Sequence, residues 1–200
     1  MTVDEIHNST ETQGAAPYKR TIAIALDSSK FSEYAFNWAL EHYLRQDDYV
    51  LLLNVQHHKN APLGINSGLD APLAPAEPIV HPASAKDESH ALLTKYAKIL
   101  ASKEYAYKAV SIHPSYVSTK ESIVREVAQL NATALIVGSR GADALSRGFI
   151  GSVSDYCAHH CHCPVVIAKP SEEEAKTMKA IDESVFQSFT LLPSNTSKIV

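Results

Sequence analysis

Short apolar runs alternate with stretches of helical periodicity through most of this chain. The apolar runs predict strands at residues 21–26, 49–55, 107–112, 133–138 and 164–168. Between them the apolar side chains recur at helical spacing, which predicts helices that begin near residues 30, 86, 118 and 152. Strands that are apolar throughout and alternate with helices are typical of a parallel sheet covered on both faces. The pattern therefore predicts one α/β domain over residues 18–170.

Three segments break this alternation. Residues 1–17 are polar and rich in Thr, Asn and Gln, and we expect a disordered tail there. Residues 57–85 are interrupted by prolines and glycines and show no sustained period, which predicts a long loop that is either flexible or a lid. Residues 171–200 open with an acidic run, and we expect a C-terminal tail.

Composition argues against several classes of partner. The 200 residues carry a formal net charge of −4, so the chain lacks the basic surface expected of a protein that binds nucleic acid or an anionic membrane. No apolar run is long enough to span a bilayer, and the N-terminus lacks the basic and apolar regions of a secretory signal. Three cysteines without such a signal favour a reducing compartment, and we expect the cytoplasm, with the nucleus as an open alternative.

The most specific local pattern follows the strand predicted at 133–138. The segment Gly138-Ser139-Arg140-Gly141 is succeeded after nine residues by Gly151-Ser152, at the predicted start of a helix. Glycine turns let backbone N–H groups approach an anion, and the positive end of a helix dipole favours one there. The arginine and serines of the segment would add a cation and hydroxyls, so the spacing predicts a cradle for a phosphate chain. In the alternative interpretation the glycines only make turns and the serine only caps a helix.

Two further residues are predicted at the same end of the sheet. Asp27 follows the first strand and Val55 ends the second, and ligands of parallel sheets bind at the carboxyl ends of strands. The Asp27 carboxylate would accept hydrogen bonds from a ribose, or would only cap the first helix. Val55 would offer backbone groups and packing to a base, or would only belong to the core.

Signatures of catalysis are mostly missing. The chain has no Gly-x-x-x-x-Gly-Lys-Ser/Thr phosphate loop, no Gly-x-Ser-x-Gly nucleophile elbow and no His-Glu-x-x-His zinc motif. The segment from Cys157 to Cys163 is rich in Cys and His but lacks a second ligand pair, which favours small buried cysteines and exposed histidines over a metal site. We therefore expect a binding protein and not an enzyme, with no catalytic residues and no bound metal.

Five segments form a combined pattern: Ala25-Leu26-Asp27, Leu52-Leu53-Asn54-Val55, Gly138-Ser139-Arg140-Gly141, Gly151-Ser152-Val153-Ser154 and Cys163-Pro164-Val165-Val166. Together they resemble the universal stress protein family, whose ATP-binding motif has the same glycine spacing. The resemblance covers about residues 18–170, while the segment at 57–85 and both tails depart from it. A second departure is Asn54, because the family usually has Leu-His-Val at this strand.

The resemblance implies an α/β fold with a five-stranded parallel sheet in the order 3-2-1-4-5, helices on both faces, and ATP as the ligand. The nucleotide-site residues that it implies are Ala25, Asp27, Val55, Gly138, Ser139, Arg140, Gly141, Gly151, Ser152, Val153 and Ser154. Asp27 would lie near the ribose and Val55 near the adenine. The two glycine segments would lie along the ribose and phosphates, and the phosphates would hold any Mg²⁺.

The resemblance also implies a homodimer through the last strand and a regulatory role in the stress response. ATP, or another adenine nucleotide, would be a ligand that biases conformation or the binding of an unidentified protein partner. Two other functions stay open. One is a dimeric interaction module that keeps the fold without binding a nucleotide, and the other, ranked lower, is a slow ATPase.

Overall fold

The computed structural model describes residues 3–8, 18–56, 84–113, 118–140, 150–175 and 177 of the chain. Within these ranges the elements are β1 Val3–Asn8, β2 Arg20–Ala25, α1 Lys30–His42, β3 Asp48–Val55, α2 Ala85–Ser102, β4 Ala106–Ile112, α3 Thr119–Gln129, β5 Ala134–Gly138, α4 Ser152–His160 and β6 Val165–Ala168. From β2 onward, the predicted strands and helix starts agree with the observed ones to within one residue. The predicted alternation of strands and helices is therefore confirmed.

The strands form one sheet in the order β1-β4-β3-β2-β5-β6. β2 pairs in parallel with β3 and β5, β3 pairs in parallel with β4, and β5 with β6. Counted from β2, these five parallel strands have the order 3-2-1-4-5, so the predicted fold class is confirmed. Their carboxyl ends all lie at one end of the sheet, which is where folds of this class bind ligands.

β1 corrects part of the prediction for residues 1–17. A disordered tail is expected there, but Val3–Asn8 form a strand that pairs antiparallel with β4, with Val3 opposite Ile112. An edge strand carries a row of N–H and C=O groups that another strand can satisfy through its own backbone. Polar composition does not record backbone pairing, which is why the prediction of disorder is wrong for this segment. The rest of the predicted tail lies outside the described residues.

Helices cover both faces of the sheet, as predicted. α1 and α2 pack on one face, where Phe36 and Tyr96 meet the buried side chains of Ile22, Val50 and Leu52. α3 and α4 pack on the other face, where the buried core includes Ala23, Leu51, Ile123, Val127, Leu135 and Cys157. Because side chains alternate between the two faces, neighbours along each central strand enter opposite cores. Of the helices in the described ranges, none has both the length and the apolar character that crossing a bilayer requires.

A partly buried ion pair ties β2 to β3 at the opposite, amino end of the sheet. Arg20 donates to the two carboxylate oxygens of Asp48 at 2.8 and 2.6 Å, and to the carbonyl of Tyr43 at 3.2 Å. Asp48 is fully buried and also accepts from the backbone N–H of Arg45 at 2.8 Å. The hydrogen bond to Asp48 raises the pKa of Arg20 against the opposing effect of burial. The guanidinium therefore stays charged and pairs the Asp48 carboxylate.

The chain beyond β6 contacts α1 through one exposed hydrogen bond. Ser171 begins a helical turn: its hydroxyl accepts from the N–H of Glu174 at 3.2 Å, and the Glu174 carboxylate accepts from the N–H of Ser171 at 2.7 Å. The same carboxylate accepts from the hydroxyl of Tyr34 at 3.5 Å. The segment predicted as a C-terminal tail thus starts on the surface of the domain, and its residues 176 and 178–200 lie outside the described part of the chain.

Candidate functional site

The strand register brings the predicted site residues to one end of the sheet. Ala25 lies opposite Leu53, and β2 runs parallel to both β3 and β5. Asp27 and Val55 each lie two residues beyond this pair, and Gly138 ends β5. Their shared location confirms what strand polarity predicts. The role of each residue in binding stays a prediction.

Asp27 organises the turn between β2 and α1. Its Oδ1 accepts hydrogen bonds from the backbone N–H of Ser29, at 2.9 Å, and from the Ser29 hydroxyl. Ser29 in turn caps α1, because its hydroxyl accepts from the N–H of Ser32 at 3.1 Å. The carboxylate therefore supports the helix start through Ser29, which is close to the capping role predicted as the alternative to ribose binding. Binding of a ribose by Asp27 stays a prediction.

Asn54 links β3 to the residue before Asp27. Its Nδ2 donates to the carbonyl oxygen of Leu26 at 2.7 Å, and the residue is only 6% exposed. Leu26 also donates its own N–H to the carbonyl of Leu53 at 2.8 Å. The sequence identifies Asn54 only as a departure from the family pattern. An amide within a run of buried aliphatic residues is the signal that points to such a bond, because buried polar groups are almost always hydrogen-bonded.

Val55 and Ala25 contribute apolar side chains to the same end of the sheet. Val55 is 3% exposed and belongs to the core under α3 and α4. Ala25 is half-buried and packs against that core. The Val55 side chain therefore fits the core interpretation, and contact of its backbone with a base stays a prediction.

A second buried polar group follows β3. Gln56 donates its backbone N–H to the carbonyl of Ile112 at 2.9 Å, and its Nε2 to the hydroxyl of Ser111 at 3.0 Å. The Ser111 hydroxyl lies 2.7 Å from that of Ser89 in α2. The chain is thus anchored to β4 and α2 at the point where the predicted loop begins. Residues 57–83 of that loop lie outside the described part of the chain.

Gly138 is the point at which β5 meets the first turn of α1. A Cβ on this residue would lie 2.8 Å from the carbonyl oxygen of Phe31 and 3.2 Å from the backbone nitrogen of Ser32. Since a side chain fits there only if the strand or the helix shifts, packing explains this glycine without a ligand. Arg140 adds to the same contact, because its Cζ lies 5.5 Å from the centroid of the Phe31 ring.

The chain that leaves the sheet at Arg140 returns to the same place at Gly151. The N–H of Gly151 donates to the carbonyl of Ser139 at 2.8 Å. A Cβ on Gly151 would lie 3.2 Å from the Cα of Arg140. The turns at 138–140 and 151 therefore lie side by side, as the spacing predicts. The prediction for Gly141 falls outside the described residues, together with 142–149.

α4 begins at Ser152, and its N-cap residue, Gly151, provides no side-chain cap. The hydroxyl of Ser154, which is only 3% exposed, donates to the carbonyl of Gly151 at 2.9 Å and supports this turn from inside. Ser152 is exposed and Val153 is half-buried, so the accessible hydroxyl of the first helical turn is that of Ser152. A helix N-terminus carries partial positive charge and attracts anions. Of the two serines predicted at the phosphates, Ser152 is thus the one whose side chain reaches the surface.

The three cysteines are free thiols in fully or partly buried positions. Cys157 lies in the core under α4, and burial raises the pKa of its thiol to about 12. Burial also raises the pKa of Cys161 and of Cys163. Within the described ranges, no three His, Cys, Asp or Glu side chains come together in an arrangement that could hold a metal ion.

The chain is similar to known proteins over most of the domain described above. A family model described as the universal stress protein family matches residues 19–169. Two relatives from Arabidopsis thaliana are Universal stress protein PHOS34, 33% identical over 177 residues, and Universal stress protein PHOS32, 35% identical over 173 residues. Each alignment covers 80% of this chain, but only 64% of PHOS34 and 67% of PHOS32. The chain therefore spans about two thirds of the length of these curated relatives.

A solved structure has the same fold. It is a universal stress protein family protein from Arabidopsis thaliana with AMP bound, which is 23% identical and has a TM-score of 0.56, over 78% of this chain and 94% of that one. At this level of identity the likeness supports the fold and not the ligand. The family model, in contrast, spans the parallel sheet, its helices and both glycine turns. On that match, the chain belongs to the universal stress protein family.

Proposed function

We propose that this chain binds an adenine nucleotide, with ATP as the ligand, at the carboxyl end of its parallel sheet. The observation that carries the proposal is the 2.8 Å hydrogen bond from the Gly151 N–H to the Ser139 carbonyl. It holds the N-terminus of α4, which has no side-chain cap, beside the turn that follows β5. A helix N-terminus and a glycine turn at one place form an arrangement that favours a phosphate chain.

The residues around these turns suit the parts of a nucleotide. The exposed hydroxyl of Ser152 and the guanidinium of Arg140 would contact the phosphates, which would hold Mg²⁺ when it is present. Asp27 and Ala25 would lie at the ribose, and the backbone of Val55 would lie at the adenine. AMP in the related Arabidopsis thaliana structure supports an adenine nucleotide as the class of ligand.

We assign the nucleotide the role of a regulatory ligand rather than a substrate. The names of the two curated relatives support a role in the response to stress. Several polar side chains at the site already hold the fold together, since Asp27 bonds to Ser29 and Ser154 bonds to Gly151. Because these side chains shape the site, the conformation of the site can depend on ligand binding. The three free thiols support a reducing compartment, namely the cytoplasm.

Isothermal titration of the purified chain with ATP, ADP, AMP and GTP, with and without Mg²⁺, tests nucleotide binding. We expect saturable binding of ATP, with ATP tighter than AMP because the longer phosphate chain adds contacts at α4. GTP is the matched control for the base. Binding that fails to saturate at millimolar ATP, or that does not distinguish ATP from GTP, would contradict the proposed site.

Phosphate release in the same samples tests whether the nucleotide is a ligand. We expect the rate with wild-type protein to equal that with Gly151→Val, in which a side chain is forced against the turn at Arg140. A rate clearly above that control would show turnover and would contradict the regulatory assignment.

We further propose a homodimer through β6, the edge strand on one side of the sheet. Val165, Val166 and Ile167 of this strand are half-buried rather than buried. The carbonyls of Pro164 and Ala168 accept hydrogen bonds from the chain of β5, so the alternation of the strand directs the backbone groups of Val165 and Ile167 outward. These outward groups are the ones that a second copy of the chain would pair with.

Sedimentation equilibrium of Ile167→Pro tests the dimer. Proline removes the outward N–H while leaving the bonds to β5, so we expect a dimeric wild type and a monomeric variant. Ile167→Val keeps the N–H and is the matched control. A monomeric wild type, or a dimer that survives the proline, would count against this interface.

A dimeric interaction module that binds no nucleotide is the second candidate function. It is favoured by the intramolecular roles of several site residues. Gly138 leaves room for the first turn of α1 at Phe31, and Ser154 donates a hydrogen bond to the carbonyl of Gly151. Neither role needs a ligand. A folded, dimeric protein that shows no affinity for any of the four nucleotides would establish the module over the nucleotide-binding function.

A further inference from the structure

One peptide group between β2 and α1 is held at both ends by side chains. Its carbonyl belongs to Leu26 and accepts from the Nδ2 of Asn54 at 2.7 Å. Its N–H belongs to Asp27 and donates to the hydroxyl of Ser32 at 2.9 Å. Asn54 comes from β3 and Ser32 from α1, so two separate elements fix the plane of a single peptide. We name this pair of bonds the Asn54–Ser32 clamp.

Both side chains of the clamp are removed from water. Asn54 is 6% exposed and Ser32 is 3% exposed. A buried amide costs free energy unless it is hydrogen-bonded, and an aliphatic side chain would fill such a position without that cost. Val50 and Leu52, on the same face of β3, are buried aliphatic residues. Packing of the strand therefore does not explain why an amide occupies position 54.

The clamp fixes the position of the Asp27 backbone. The Cα of Asp27 follows the clamped peptide directly, and a planar peptide that is bonded at both its carbonyl and its N–H has little freedom to rotate. The N–H of Ser29 then orients the Asp27 carboxylate by donating to its Oδ1 at 2.9 Å. Hydrogen bonds to a ligand weaken steeply with poor distance or angle, so a carboxylate that binds a ligand gains from such support.

We propose that Asn54 is a positioning residue of the nucleotide site. It acts through the Leu26–Asp27 peptide and holds the Asp27 carboxylate where it accepts hydrogen bonds from the ribose hydroxyls. The inference rests on the proposed function and extends it to a residue that needs no contact with the ligand. It also gives a physical role to the position at which this chain departs from the family pattern.

Asn54→Leu tests this role, because it removes the amide donor while keeping the same number and branching of non-hydrogen side-chain atoms. Thr133→Val is the matched control: it also removes a bond between a side chain and the backbone, here from the N–H of Thr21 at 3.0 Å, at the amino end of the sheet. Titration with ATP, 2′-deoxyATP and 3′-deoxyATP measures how strongly the protein selects ribose hydroxyls. We expect Asn54→Leu to weaken ATP binding by about tenfold and to abolish the preference for ATP over the deoxynucleotides. Thr133→Val leaves both properties unchanged.

A double-mutant cycle with Asp27→Ala distinguishes a positioning role of Asn54 from a merely structural one. If Asn54 acts through Asp27, then Asn54→Leu costs no further affinity once Asp27 has been replaced. A general loss of stability would instead weaken binding by the same factor in both backgrounds. Urea unfolding establishes that each variant is folded at the temperature of the titration. Should Asn54→Leu fail to fold, Ser32→Ala removes the other half of the clamp and takes its place in the same cycle.

The outcomes separate this inference from the function on which it rests. Unchanged affinity and unchanged ribose selection in Asn54→Leu would overturn the positioning role while leaving nucleotide binding intact. Losses of ATP affinity that multiply in the Asn54→Leu, Asp27→Ala double variant would also overturn the positioning role while leaving nucleotide binding intact. Failure of the wild-type protein to bind ATP would overturn the proposed function and the role of the clamp together.

Discussion

Gly138 lies so close to the first turn of α1 that a Cβ on it would be 2.8 Å from the carbonyl oxygen of Phe31. We expect Gly138→Ala to lower the free energy of unfolding by about 1–3 kcal/mol, because the backbone of the strand or the helix must move. Equilibrium unfolding in urea measures this loss. Gly151→Ala is the matched comparison, since its Cβ would lie 3.2 Å from the nearest atom and a shift of a few tenths of an ångström relieves that contact. An equal loss in the two variants would contradict the close packing at Gly138.

A charge at Ser152 should change stability and nucleotide affinity in opposite directions. Ser152 is exposed in the first turn of α4, where a negative side chain interacts favourably with the helix dipole by about 0.3–1 kcal/mol. We therefore expect Ser152→Asp to raise the melting temperature while it weakens ATP binding, since the carboxylate repels the phosphates. Thermal unfolding and titration measure the two effects, and Ser152→Asn is the neutral control. Unchanged ATP affinity in Ser152→Asp would place the phosphates away from this helix.

Loss of Arg20 should be among the most damaging single changes in the domain. Asp48 is fully buried, and its carboxylate accepts two hydrogen bonds from the Arg20 guanidinium. Arg20→Met leaves that carboxylate buried without its partner, and we expect a loss of about 3–5 kcal/mol in the free energy of unfolding. Arg20→Lys retains a positive charge without the forked geometry and should lose less. Urea unfolding compares the two, and a negligible loss in Arg20→Met would show that the pair is not needed for stability.

The capping box of α3 should make part of the stability depend on acid pH. The N–H of Ser118 donates to the Glu121 carboxylate at 2.9 Å and holds the pKa of Glu121 below its ordinary value of 4.5. A carboxyl whose pKa is lowered by folding stabilises the fold above its unfolded pKa, and this contribution is lost as the pH falls through the folded pKa. At pH 7 we expect the wild type to have a higher melting temperature than Glu121→Gln. This difference should shrink as the pH falls from about 4.5 through the lower pKa of the folded state. Melting curves from pH 3 to 7 measure it, and a difference that does not vary with pH would contradict the charge effect.

The elements of the domain could be predicted because their signals are local. β2 and β3 read as continuous apolar runs, since parallel strands with helices on both faces bury the side chains of both. Helix starts carry caps whose partners lie within a single turn, as with Ser118 and Glu121. The direction of the strands then places Asp27 and Gly138 at one end of the sheet without any knowledge of distance.

The contacts that shape the site could not be predicted, because their partners are far apart along the chain. Asn54 and Leu26 are separated by 28 residues, and Gln56 and Ser111 by 55. Which of these polar groups meet depends on the register of neighbouring strands, and a strand that is apolar on both faces does not reveal its register. Gly138 shows the converse difficulty. Its spacing predicts a phosphate turn, whereas its surroundings show a steric requirement set by a helix more than 100 residues earlier.

β1 makes the two sides of the sheet unequal. The β6 side ends in half-buried valine and isoleucine, whereas the β1 side ends in a strand that contains Asp4 and Glu5. Charged residues on an edge strand oppose the addition of another chain, and an apolar edge invites it. Molecules that can join on one side only will close into pairs, while molecules open on both sides can build a fibre. In the dimer that we propose through β6, the β1 edge would therefore oppose the addition of a third chain, so that assembly would stop at a pair.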